Sequence, residues 1–476
     1  MISTARQGWR DLLAGANATR SLVLAGSVGL HAVNIFIVTT ILPSVVADIG
    51  GLAYYAWNTT LFVVASIVGS AVSVHVLGRL APRGTYLLAL ALFALGTLAC
   101  ATAPSMAALL AGRSLQGLGG GMLVALSYAM IRHLFPAALW PRAIALVSGM
   151  WGVAALTGPF VGGVFAQLGA WRVAFWVLLP LVGGLAVLIG RVLGQVAGGE
   201  TRGAAFPGFR LALLAVAVLS VSAASLAEDV QLNALGVATA AVLMAALARL
   251  DGAATERLLP RAAFRPATPL GATYATMMLL VVGTTTIIFV PLLLQVLHGL
   301  TPLAAGYLTV VEALGWTGAA LATSAAPPAF ARQAIAAGPA TMLVGLVGLS
   351  WSIPDGGASV AVIAIWLLLV GAGIGMGWAH LASRALALAP DGERDIAAAS
   401  ISTLQLLATA FGSAMAGMVA NLAGLSTPGS VGTVANAAAL WLFAVFATAP
   451  ALAGVAVFAI LTRPAAQPAG TGLPPS

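Results

Sequence analysis

Residues 21–44 read SLVLAGSVGLHAVNIFIVTTILPS, 24 positions without a charged side chain. A bilayer core about 30 Å thick takes about 20 apolar residues of helix to cross, so this stretch predicts a membrane-spanning helix. The rest of the chain extends the reading. Of 476 residues, 61% are hydrophobic and 7% charged, against about 25% charged in soluble domains. Length alone would suggest roughly three soluble domains; the apolar content predicts an all-α polytopic membrane protein instead. The segment ahead of the first span, MISTARQGWRDLLAGANATR, is basic, but another helix follows and not a polar mature chain behind a cleavage site. The first span is therefore expected to be retained rather than removed as a signal peptide.

Cutting at charged and Pro/Gly-rich breaks predicts fourteen spans. The first six lie at 21–44, 56–78, 85–103, 105–131, 142–166 and 172–193. Two follow at 208–227 and 232–250, and six more at 270–296, 302–325, 334–353, 358–388, 395–424 and 433–462. Cytoplasmic loops collect basic residues, and with the N-terminus inside, eighteen of the twenty arginines fall on that side. Arg172 falls on the other side and Arg113 within a span. Both termini are expected in the cytoplasm. The layout reads 6 + 2 + 6: a cytoplasmic segment 1–20, a six-helix bundle 21–195, two linker helices with a charged loop 196–266, a second bundle 267–463, and a disordered Pro/Gly-rich tail 464–476.

The net charge of +8 does not point to nucleic acid, because the charges stand singly between apolar spans and form no basic face. All the basic residues are arginine, which suggests a GC-rich bacterial genome. The single cysteine, Cys100, excludes an intramolecular disulfide and a cysteine-cluster metal site, and its apolar surroundings suggest a packed thiol. The glycines of GLGGGM follow no strand and precede no Lys-Ser/Thr, so they are no phosphate loop.

AGRSLQGLGGG (111–121) followed by TGPFVGG (157–163) resembles the major facilitator superfamily, and more specifically its fourteen-helix branch of drug:proton antiporters. The first segment matches the fourth-helix motif, an arginine followed by Gln-Gly and small residues. The second matches the fifth-helix motif of antiporters, here Gly158, Pro159, Gly162 and Gly163. ILPSVVADIGG and VPLLLQVLHGLTPLAAGYL are also similar to this branch. In GRLAPRGTY the chain keeps Gly78, Leu80 and Arg83 of the family's signature loop, but Pro82 stands where an aspartate is usual. Asn34, nine residues before Pro43, stands where relatives carry an aspartate, and it cannot titrate. Ala145 and Ala154 replace smaller glycines. The resemblance implies two six-helix halves that rock around a central cavity, a part for Arg113 in proton transfer, and a fifth helix shaped by its motif at the seam between the halves.

Only Glu312 and Arg113 are charged deep within spans. Ten residues at ~1.5 Å rise put Glu312 roughly 15 Å below Pro302, close to the midplane of a ~30 Å core. An ionisable residue there faces protein or water and is by default a functional candidate. Glu312 reads either as a proton carrier or as a permanently neutral acid that joins helices, with Trp316 one turn on and sharing its face. Arg113, with Gln116 beside it, reads as a tuner of a neighbouring group or as a structural arginine bonded to carbonyls. Ser27, His31 and Asn34 share one helix face expected to look into the cavity. His31 could titrate near neutral pH or sit neutral between helices, and His380, near Trp378, carries the same two readings. Tyr128, Trp151, Tyr274, Met277, Phe289, Trp316 and Trp378 offer adaptable apolar surface for lipophilic ligands.

The sequence thus predicts a proton-coupled exporter of lipophilic small molecules in the bacterial inner membrane, acting as a monomer with protons, substrate and lipid as partners. The proton gradient would be its energy source, with no cofactor, metal or nucleic acid. A dedicated exporter or uniporter of one metabolite, siderophore or lipid-like molecule is the alternative. A membrane enzyme or receptor is more distant, since neither a His/Asp/Glu metal cluster nor a Ser-His-Asp set is evident.

Overall fold

The computed structural model describes residues 8–193, 207–254, 257–324, 327–390, 393–427 and 431–462. Arg202 and the tail 464–476 lie outside the described residues. The chain runs through α1 (Trp9–Leu12), α2 (Gly15–Ile49), α3 (Trp57–Ala101), α4 (Met106–Leu134), α5 (Trp140–Gln167), α6 (Trp171–Trp176), α7 (Leu178–Val192), α8 (Gly208–Ala224) and α9 (Val230–Ala253). It continues through α10 (Pro269–Thr284), α11 (Val290–His298), α12 (Pro302–Ser324), α13 (Pro328–Ser352), α14 (Val360–Leu388), α15 (Arg394–Leu422), α16 (Val431–Phe446) and α17 (Thr448–Thr462). No strand occurs among the described residues. Lipid offers the backbone no hydrogen bonds, so helices that satisfy their own N–H and C=O groups are the one economical form for such a sequence. Side chains close several helix starts: Ser105 accepts from the Ala108 N–H, Thr268 from Gly271 and Ser359 from Val362.

Eleven helical stretches among the described residues are long and apolar enough to cross a membrane, and Gly208–Ala224 is a shorter apolar helix. The spans expected at 56–78 and 85–103 are joined in α3, which breaks at Ala81 (φ 56°, ψ 170°), ahead of Pro82. Gly69 abuts the Leu118 carbonyl, while Gly119 abuts the Ala89 carbonyl. Both halves of α3 therefore lie along one stretch of α4, which requires the chain to double back at Ala81. The span expected at 270–296 is divided instead into α10, a 3-10 turn at Thr285–Ile288 and α11. That at 433–462 is divided into α16 and α17.

Helices α2–α7 form one set and α10–α17 another, with the α8–α9 pair packed against α15 and α3. The sets meet at the end where Arg172 pairs with Asp48 at 2.6 Å. There Gly163 of α5 abuts Leu303, Gly306 of α12 abuts Thr40, and Ala56 lies against Gly417. Tyr55 stacks on Phe289 at 4.9 Å. Asn421 of α15 donates both amide hydrogens, to Ala53 O at 3.0 Å and to Ser225 O at 2.9 Å. At the other end Gly149 and Gly152 of α5 and Gly318 of α12 meet nothing within 4 Å, and residues 148–153 are exposed or half-exposed on every face. The seam is thus closed at one end and open at the end where Arg20 donates to Leu134 O and Arg332 to Leu461 O.

Within the C-terminal set, α12 and α14 touch backbone to backbone: Gly371 abuts the Glu312 carbonyl, Gly375 that of Trp316, and Gly315 that of Leu368. Any Cβ at Gly371 would overlap the oxygen. Gly371→Ala is expected to lower stability by about 1–3 kcal/mol, the usual cost of overpacking, read as an earlier thermal transition in detergent. Gly454→Ala, where a Cβ meets nothing within 4 Å, should leave that transition unchanged or raise it.

Candidate functional site

In the N-terminal set the site is built on α4, whose glycines let three neighbours approach. Gly117 abuts the Phe62 carbonyl and Gly120 abuts His31 Nδ1. This brings α2 and α3 against the turn that carries Arg113 and Gln116. Arg113 Nη1 donates to Gln116 Oε1 at 2.8 Å, and Gln116 Nε2 donates to Thr97 Oγ1 at 2.9 Å. Thr97 in turn donates to Phe93 O at 2.7 Å, which ends the chain on backbone. The guanidinium carbon of Arg113 lies 4.0 Å from the Phe62 ring centre, a cation–π contact. The same ring stacks with His31 at 5.2 Å, and His31 meets Trp151 edge-on at 6.1 Å.

Trp151 apart, these groups are buried: Arg113 keeps 2% of its surface, His31 4% and the neighbouring Asn34 none. The helix face of Ser27, His31 and Asn34 is therefore packed within the bundle. Ser27 spends its hydroxyl on Val23 O. Asn34 has no hydrogen-bond partner on either amide atom, and His31 Nδ1 and Arg113 Nε have none either. Cys100 is a packed thiol, its Sγ 3.6 Å from Leu109 O.

In the C-terminal set, Glu312 sits where α12 crosses α14, 6% exposed. Among the described residues nothing donates a hydrogen bond or an ion pair to its carboxyl. Its helix also packs against α5 and α2. One turn on, Trp316 meets Trp378 edge-to-face at 5.5 Å. Further toward the open end, His380 Nε2 lies 3.0 Å from Thr323 O. Tyr128 and Trp151 are exposed at the open end, with Tyr128 Oη 3.2 Å from Ser148 Oγ.

The structure does not gather every candidate. Tyr274 donates to Ala397 O at 3.2 Å, Met277 is buried in the same helix, and Phe289 stacks on Tyr55 at the closed end. In this state all three are packing residues. Gly158 and Gly162 press on α2 at Phe36 and Ile37, and Gly163 presses on α12. Pro159 lies inside α5 without ending it. Gly78 and Arg83 flank the Ala81 break, with the Arg83 guanidinium 3.9 Å from where a Cβ on Gly190 would stand. Phe62 and Thr97 were not foreseen. Their signal was indirect: Gly96, Gly112 and Gly117 mark where α3 must touch α4. Among the described residues no group of His, Cys, Asp and Glu could hold a metal ion.

A lipid-embedded bundle of two helix sets, shut at one end and holding unpaired charge at mid-depth, defines a polytopic membrane transporter. The sequence profile of the Major Facilitator Superfamily matches residues 24–413, and the chain belongs to that family. A Mycobacterium tuberculosis (strain CDC 1551 / Oshkosh) chain named "Probable multidrug-efflux transporter" is 41% identical over 467 residues, covering 95% of this chain and 97% of that one. The fold is shared with the D-xylose-proton symporter (TM-score 0.65, 16% identity, 93% and 98% of the two chains). It is shared too with the POT family transporter PepTSo (TM-score 0.65, 15% identity, 93% and 97%).

Gln116 is the one acceptor of Arg113 and at the same time a donor to Thr97. Gln116→Leu should therefore destabilise the protein by about 1.5–3 kcal/mol, the range for hydrogen bonds to charged groups, measured by chemical unfolding in micelles.

Proposed function

We propose that this protein is a proton-coupled exporter of lipophilic small molecules, working by alternating access in the bacterial cytoplasmic membrane. In this reading it crosses the bilayer fourteen times in a 6 + 2 + 6 plan, with both termini in the cytoplasm. The open end, which carries the arginines, is then the cytoplasmic mouth. The observation that carries the proposal is Glu312, a buried carboxyl without a partner beside the seam. An unpaired ionised carboxylate is expensive to bury. A state that dries the site selects the neutral acid, and a state that wets it allows the proton to leave. Proton and substrate then favour different members of a two-state pair, so uptake of one drives release of the other. The name of the Mycobacterium relative supports the direction of transport and the range of substrates.

The chemistry of the cavity fits this assignment. Trp316, Trp378, Trp151 and Tyr128 supply rigid apolar surface, while Gln116 and Asn34, packed within the bundle in this state, would supply polar groups when the seam rearranges. Arg113 stays charged throughout the cycle and would order the groups around it rather than carry the proton.

Glu312→Gln mimics the neutral acid and cannot release a proton. In proteoliposomes with a fluorescent lipophilic dye, an imposed pH gradient should accelerate efflux by the wild type. The variant should keep dye exchange but lose that acceleration. Gradient-driven efflux equal to wild type would show that another residue couples the proton.

A further inference from the structure

Arg113 is a buried cation with no anion. No ion pair reaches it among the described residues. Its one acceptor is the neutral Oε1 of Gln116. Its Nε hydrogen points at nothing that can accept it. A guanidinium carries five N–H donors in a rigid fork, so most of this fork is unused. Burying a lone charge costs several kcal/mol unless a partner compensates it, and the Phe62 face 4.0 Å away offsets only part of that cost.

The surroundings lack the same kind of group. Asn34 is wholly buried with both amide atoms unpartnered, and His31 Nδ1 is unpartnered beside it on α2. Phe62 links them, in contact with both Arg113 and His31. Gln116, the other polar group here, already gives one amide hydrogen to Thr97 and accepts from Arg113. Each of Arg113, Asn34 and His31 can donate a hydrogen bond, and none of the three faces a carboxylate. The one mid-depth acid, Glu312, lies in the other helix set, against α14.

We infer that Arg113, with Asn34 and His31, forms an anion subsite, and that the transported molecules include lipophilic carboxylates whose charged group docks there. The fork of Arg113 matches a carboxylate in two-point geometry, and the amide of Asn34 adds a third donor. The Trp151 ring, edge-on to His31 and exposed at the open end, provides the flat apolar wall against which an aryl portion would lie. The inference rests on the exporter reading for its biological sense, but it is a statement about binding and is tested without transport.

Purified protein in detergent at pH 7.5 is titrated with tritiated 2-naphthoate in a scintillation proximity assay, and competed with unlabelled 2-naphthamide. The amide has the same ring and no charge. We expect saturable naphthoate binding, with the amide at least tenfold weaker as a competitor. Asn34→Asp places a carboxylate on the His31 face of α2, within the proposed subsite, and should weaken naphthoate binding at least tenfold. Arg113→Gln should do the same, with both variants monodisperse by size exclusion. Competition by the amide equal to that by the acid, or no saturable naphthoate binding, overturns the subsite. So does wild-type affinity in a monodisperse Asn34→Asp or Arg113→Gln variant. The acid–amide comparison on wild-type protein decides even if neither variant folds. Gradient-driven efflux of a neutral dye alongside failed naphthoate binding would overturn this inference alone and leave the exporter reading standing.

Discussion

Helices in hydrocarbon gain little by hiding apolar side chains from one another, because lipid tails are as apolar as leucine. What holds such a bundle is close approach, and here it takes one repeated form: a backbone carbonyl seated on a glycine of the next helix. In the N-terminal set Gly117 takes the Phe62 carbonyl and Gly121 that of Ser66, and the Ser66 hydroxyl bonds across to Gly117 O at 3.1 Å. In the C-terminal set Gly371 and Gly375 take the carbonyls of Glu312 and Trp316. The residues at these seats include Glu312 and the aromatic neighbour of Arg113. Phe62 holds Arg113 by its ring, and Glu312 is itself the seated residue. The contacts that give the bundle cohesion thereby also fix the positions of its two mid-depth charges.

Charge is divided between the sets in a way that sets this interior apart from the ends. At the ends, acids and arginines are matched: Asp48 with Arg172, Asp251 with Arg210, Glu393 with Arg257. At mid-depth one set holds a cation without an anion, and the other an acid without a base. A scaffold selected for stability alone would pair them or replace both with apolar side chains. In the proposed cycle each would be open to an outside partner, a proton for one and an anionic group for the other, and both sites would change occupancy as the seam opens and closes.

Much of this was legible in the sequence because membranes penalise charge so heavily. The arginines marked the loops, the long apolar runs marked the helices, and Glu312 stood out as a lone acid far from any helix end. The motif around Arg113 located the fourth helix and its partner Gln116. What could not be read depends on rotation about helix axes. The face of Ser27, His31 and Asn34, expected to line the cavity, is buried in this state, with Gly120 leaving room for the His31 ring. Tyr274, Met277 and Phe289 have the composition of ligand contacts and are spent on packing. The loop GRLAPRGTY was expected between the second and third spans, but not that the turn would rest on Ala81. It places a non-glycine residue in a backbone region that glycine alone visits readily, beside a proline that cannot donate.

Asn421 bears on how the extra helices travel. Its amide nitrogen has two hydrogens, one given to Ala53 at the start of the second crossing and one to Ser225 at the end of α8. The far end of the α8–α9 pair is fastened as well: Asp251 accepts from Arg210 and from the Leu258 and Leu259 N–H groups, and Ser400 of α15 donates to Leu258 O. The pair is thus moored to α15 fore and aft, while its apolar side chains also pack against α3. In the proposed cycle, parting of the closed end would release the bond to Ala53 and leave the others tied. The two additional helices would then ride as an outrigger of the C-terminal hull, widening that half in the plane of the lipid without a bond across the seam that must open.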